Sequence, residues 1–117
     1  MPLIKVHTSA PARDEARERA LLARLSRRLA EHTGKPEAYV MTCLMPRALM
    51  TFAGDPAPAC YLEVKSIGRM EPARTAAMSA DLCAIVAEEL GVPGERTYIE
   101  FCDAPGHLWG HAGETFA

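Results

Sequence analysis

The four cysteines, Cys43, Cys60, Cys83 and Cys102, are too far apart to form any C-x-x-C pair. That spacing excludes a zinc knuckle and a thioredoxin-type dithiol. In a reducing compartment they are expected to act as small buried apolar residues. Long apolar runs are also missing, and nothing approaches the roughly 20 residues of a membrane helix. The first residues are not expected to act as a secretory leader, because Lys5 and His7 interrupt them and the charged stretch Arg13–Glu18 follows. The expectation is a cytoplasmic protein, with any release occurring without a signal peptide. Neither sign of charge dominates. Thirteen Lys and Arg against fifteen Asp and Glu leave a net charge of −2, and the two signs are interleaved along Arg13–Arg28. No basic patch for nucleic acid is expected. His107 and His111 have the metal-binding spacing of a helix, but Gly106, Gly110 and Gly113 exclude a helix there, so no metal site is expected.

What remains is the composition of an ordinary soluble protein, at a length of 117 residues that fits a single domain over residues 1–117. Leu3–Ser9 alternates, with Ile4, Val6 and Thr8 on one face and Leu3, Lys5 and His7 on the other, which predicts a strand. Asp14–Thr33 predicts a long helix with the apolar stripe Ala16, Ala20, Leu21, Leu22, Leu25 and Leu29. Gly34 is placed as its left-handed stop, with Pro36 beyond. Short strands are predicted at Tyr39–Leu44 and Leu49–Phe52, followed by the turn Gly54-Asp55-Pro56. A longer strand is predicted at Cys60–Ile67. A second helix runs from Pro72 to Leu90 and buries Met78, Leu82, Ile85, Val86 and Leu90. Gly91 ends it, and Thr97–Asp103 is the last long strand. A Gly-rich tail follows from Ala104.

The two halves share punctuation. Gly34-Lys35-Pro36 precedes Tyr39-Val40, and Gly91-Val92-Pro93 precedes Tyr98-Ile99. This reads as a duplicated β-α-β unit, an α+β fold of about four main strands with both helices on one face. The other face is expected to be open and to carry apolar residues such as Val6 or Val64. Such a face and its unpaired sheet edges call for a symmetric oligomer.

At this level of detail the chain resembles the macrophage migration inhibitory factor family of the tautomerase superfamily. The residues that carry the resemblance run along nearly the whole chain. They are the start Met1-Pro2-Leu3-Ile4; Leu29–Glu37 with Tyr39-Val40-Met41; Ser66-Ile67-Gly68; Gly91-Val92-Pro93 with Arg96–Ile99; Trp109-Gly110; and Thr115-Phe116. The resemblance implies a homotrimer whose sheets surround a central channel, with active sites between subunits. It also implies keto–enol tautomerisation of phenylpyruvate-like or dopachrome-like substrates, and no cofactor.

The same resemblance implies roles for single residues. Pro2, freed by removal of Met1, would be the base. An α-amino group ordinarily titrates at roughly 7.7–8.0, and an apolar pocket beside a cation would lower that value. Lys35 would be that cation and would bind the substrate's oxygens. Ile67 would offer its backbone N–H, with Ser66 beside it. Tyr98 would enter from the adjacent subunit and donate to a developing enolate. Trp109, the only tryptophan, would stack on an aromatic substrate. Phe116 would pack at a subunit contact. Glu100 stands two residues after Tyr98 on the same strand face, where relatives often carry an uncharged residue. A carboxylate there would repel an anionic substrate and raise the Pro2 pKa. The alternative implied by the family is an interaction protein that is released, bound by a receptor and left with a vestigial pocket.

Overall fold

The computed structural model describes residues 1–117. Strand β1 (Leu3–Thr8) leads through helix α1 (Glu15–Thr33) and a 3-10 turn (Glu37–Tyr39) to β2 (Met41–Met45). Strand β3 (Cys60–Ile67) leads through α2 (Pro72–Leu90) and a second 3-10 turn (Gly94–Arg96) to β4 (Thr97–Ala104). The sheet order is β2-β1-β3-β4. Within each half the two strands are parallel, and the halves meet antiparallel through β1 and β3. The predicted duplication is therefore present in the pairing as well as in the sequence.

The repeated glycines act as stops. Gly34 and Gly91 both adopt left-handed backbone, at φ 68° and φ 71°. Each donates its N–H four residues back, to Ala30 and Ala87 respectively, closing its helix. At the other end of α1, Asp14 caps the helix by accepting from Arg17 N at 2.8 Å.

Both helices cover one face of the sheet. Leu21, Leu25 and Leu29 of α1 and Met78, Leu82, Ile85 and Val86 of α2 pack on Ile4, Val6, Leu62 and Val64. Burial of each such side chain stabilises by about 1.5–3 kcal/mol. The buried stripe of α1 is narrower than expected, because Ala16 and Ala20 are exposed near the free first turns. Charged pairs join the helices along their outer seam. Arg24 meets Glu88 at 2.7 Å and Glu89 at 3.1 Å, while Asp81 bonds both Arg28 and His32.

Several expectations are corrected. Val6 and Val64 lie on the helix-covered face at 0% exposure, not on the open one. The open face instead carries Lys5, His7, Tyr61, Glu63 and Lys65, since the register pairs Lys5 with Glu63 and His7 with Tyr61. The charged residues in the alternation therefore mark the side left without helices. Leu49–Phe52 is not a strand. Leu49 projects fully into solvent, and Phe52 makes only an isolated bridge to Asp55. The second strand is shifted to Met41–Met45 because Glu37–Tyr39 forms the 3-10 turn first. Of the cysteines only Cys60 is buried, and burial pushes its thiol up to about 12. Cys43 and Cys83 are half-buried and Cys102 is exposed, because two of these three sit on edge strands. The Gly-rich tail has structure of its own: a 3-10 turn (Gly106–Leu108) and a small hairpin of β5 (Gly110–His111) and β6 (Glu114–Thr115). No helix is long and apolar enough to cross a membrane.

Candidate active site

The site is built where β1 begins. Leu3 opposes Lys65 in the antiparallel pair, so Pro2 stands level with Ser66 at the end of β3. Pro2 is buried, and its carbonyl accepts from Met41 N at 3.0 Å, which ties it to the start of β2. Lys35 reaches the same corner from the residue after the left-handed Gly34. Its ammonium donates to Ser66 Oγ at 3.0 Å and to the Ile67 carbonyl. Pro2, Lys35, Ser66 and Ile67 are thus brought together in one protomer.

Two concavities open at this corner. One, of about 260 Å³, is lined by Pro2, Tyr39, Val40, Trp109 and His111. The other, of about 250 Å³, is lined by Lys35, Pro36, Ile67 and Phe116. Met1 and Tyr39 line both. Trp109 and Phe116 arrive because the tail folds back on itself. Phe116 N donates to Gly106 O and Trp109 O, both at 3.2 Å. Only glycine fits at position 106, where a Cβ would lie 2.2 Å from Phe116 O.

The electrostatics at the chain start follow from this placement. Burial, then the charge of Lys35 and a hydrogen bond with it, hold the Met1 ammonium below its ordinary 8.0. Both effects disfavour a cation at this corner.

Tyr98 and Glu100 lie elsewhere in the protomer. Tyr98 pairs with Tyr61, toward the opposite end of β3 from Ser66. It is 66% exposed and lines a separate apolar cavity of about 410 Å³ with Met50, Phe52, Cys60 and Tyr61. At about 3.3 Å per strand residue, Tyr98 is well over 10 Å from the Pro2 corner. Glu100 accepts from Tyr61 Oη at 2.8 Å. That bond, with burial and the charges of Glu100 and Glu63, pushes the Tyr61 hydroxyl up to about 12. A single protomer therefore assembles five of the seven candidate residues and leaves two on another part of its surface. Tyr39 and His111 are among the lining residues that were not anticipated. The signal for Tyr39 was its position three residues beyond Pro36 of the Gly34-Lys35-Pro36 corner; His111 had none, since only the folded tail brings it here.

The family model of macrophage migration inhibitory factor (MIF) matches residues 1–117. The chain belongs to this family. MIF proteins belong to the tautomerase superfamily, and the two helices on a mixed four-stranded sheet are the MIF fold. Across the full length of both chains, the sequence is 36% identical to macrophage migration inhibitory factor of Meriones unguiculatus. It is 33% identical to the MIF homolog of Trichuris trichiura over 99% of this chain and 100% of that one. Among solved structures, the MIF homologue of Prochlorococcus marinus superposes with a TM-score of 0.93 at 47% identity, covering 98% of this chain and 99% of that one. Leishmania major MIF2 superposes with a TM-score of 0.89 at 30% identity, covering 99% and 97%.

Proposed function

We propose that this MIF-family chain is a keto–enol tautomerase acting on phenylpyruvate-like or dopachrome-like substrates, with the Pro2 amine as its base once Met1 is removed. The observation that carries the reading is that Pro2 is buried at the corner where the Lys35 ammonium bonds Ser66 and where that charge already acts on the chain-start amine. A secondary amine there inherits the surroundings that already hold the Met1 ammonium low. The proposed step needs that amine as the free base, and burial beside a cation favours this form. Met1 lines both concavities, so its loss frees space in each of them beside the new amine.

In the proposed step the Pro2 nitrogen takes a proton from the carbon next to the substrate carbonyl. The C–H electron pair becomes the C=C bond, and the carbonyl π pair moves onto oxygen. Lys35 binds the substrate's oxygens, and the Ile67 N–H and Ser66 lie beside it. Trp109 and Tyr39 supply an apolar wall for an aromatic ring. The Pro2 ammonium then delivers that proton to the enolate oxygen, which gives the enol and restores the free amine.

The separation of Tyr98 and Glu100 from Pro2 within one protomer supports the homotrimer with inter-subunit sites, in which a neighbour supplies both. A cytoplasmic location belongs to the same reading. A second reading, an interaction protein bound by a receptor, is favoured by the names of the relatives, which describe inhibition of macrophage migration. Following the enol absorbance of phenylpyruvate with Met1-free protein separates the two. Turnover that Pro2→Gly abolishes supports the enzyme, and absence of turnover in the wild type supports the interaction protein.

A further inference from the structure

Arg96 is a cation bound almost entirely to backbone. It lies in the 3-10 turn before β4, two residues ahead of Tyr98, with its side chain only 16% exposed. Its Nε donates to Pro58 O at 2.9 Å, and its Nη2 donates to Asp55 O at 3.0 Å and to Ala57 O at 2.8 Å. Three carbonyls of one loop converge on a single guanidinium. A point-charge ammonium cannot reproduce that planar fork.

The loop needs such a hold. Phe52 and Asp55 exchange two backbone hydrogen bonds, at 3.0 and 2.9 Å, across Ala53 and Gly54. Both central residues have positive φ, 54° and 74°. For Ala53 this is the left-handed region, which a non-glycine residue occupies only when its surroundings hold it there. The Asp55 carbonyl that closes this turn is one of those Arg96 holds. The guanidinium also lies over the Phe52 ring, 5.5 Å from its centroid. The Phe52 ring in turn packs on Tyr98 at 5.0 Å between centroids, tilted by 53°. Tyr98 is otherwise exposed, so Phe52 is the aromatic wall against which it rests.

We propose that Arg96 is a positioning residue for Tyr98, acting through the 52–58 loop and the Phe52 ring. The proposal rests on the reading above in one respect: Tyr98 matters to turnover only if it completes a neighbour's site. Arg96 touches no substrate and moves no proton. It fixes the ring from which the Tyr98 hydroxyl is presented.

Two measurements on Arg96→Lys test this. In NMR of the folded protein, cross-relaxation between the Phe52 and Tyr98 rings is expected in the wild type and lost in Arg96→Lys. Its persistence at wild-type strength would overturn the proposal whether or not the protein turns over phenylpyruvate. In kinetics, Arg96→Lys is expected to lower kcat/KM by about tenfold, within the range of coupled contacting residues. The position of the pH profile, set by Pro2, should not move. In a Tyr98→Ala background the same substitution should have almost no further effect. A full tenfold loss in that background would mean that Arg96 acts on general structure and not through Tyr98. If Arg96→Lys folds poorly, Phe52→Leu takes its place in the double-mutant cycle with the same two outcomes. A wild type without turnover contradicts the tautomerase reading alone, and the ring contact still decides the role of Arg96.

Discussion

Lys35 Nζ donates to Ser66 Oγ at 3.0 Å, binding the residue after the α1 stop to the end of β3. This bond aims a cation at the beginning of β1, where Pro2 is buried. The rest of the proposed chemistry depends on that juxtaposition.

Removing the cation should therefore move the pH profile. If the Pro2 amine must be unprotonated, activity rises with pH through its pKa. A nearby positive charge lowers that pKa, so Lys35→Ala should shift the acid limb of the kcat profile to higher pH. It should also raise KM for a carboxylate substrate by roughly tenfold or more, the scale of one lost charged hydrogen bond. Rates measured from pH 5 to 9 check both.

Glu100 bears on substrate charge. Its carboxylate accepts from Tyr61, which keeps it fixed on the strand face it shares with Tyr98. Glu100→Gln is expected to lower KM for anionic phenylpyruvate by severalfold, as a repulsion across a partly screened distance is removed. An uncharged keto ester should show no such change. Equal effects on acid and ester would reject the electrostatic role.

The seam between the helices has a pH signature of its own. Burial pushes the Asp81 carboxyl up, but hydrogen bonds from Arg28 and His32 outweigh it and hold the group below its ordinary 3.8. A depressed carboxyl stabilises the fold above its unfolded pKa, and that stability is lost as pH falls through the lower folded value. Wild-type stability should thus fall below about pH 4 more steeply than that of Asp81→Asn. At pH 7 the variant should be less stable by about 1 kcal/mol, given the partial exposure of the pair. Urea unfolding at pH 3 and pH 7 measures both differences.

The core beneath the site should behave as a packed solid. Leu25 and Leu82 are at 0% exposure, facing the sheet from the two helices. Truncating either to alanine is expected to cost about 2–5 kcal/mol. A cost under 1 kcal/mol in denaturant unfolding would mean that the helices do not share this core.

Much of this arrangement was legible in the sequence. Gly34 and Gly91, each with a proline two residues on, marked the helix stops, and the stops in turn fixed where Lys35 could stand. The alternation in Leu3–Ser9 and Cys60–Ile67 gave both strands. The choice of faces was misread at Val6 and Val64, although Lys5, His7, Glu63 and Lys65 carried the signal, since charge marks the side that no helix covers. Other features had no local signal. Ala53 at positive φ is held by Arg96 from more than forty residues away, and no periodicity announces such a contact. The tail hairpin depends on Gly106 receiving the Phe116 backbone, which is likewise a tertiary event. Tyr98 and Glu100 could not be joined to Pro2 by any argument within one chain.

The account stands on a free secondary amine at Pro2. The direct measurement compares phenylpyruvate turnover by protein whose intact mass shows Met1 absent with that of a variant carrying one alanine inserted between Met1 and Pro2. In the variant the Pro2 nitrogen is an amide whichever way Met1 is processed. The account predicts a loss of at least about hundredfold, the scale of a removed general base. Equal rates in the two proteins would contradict it.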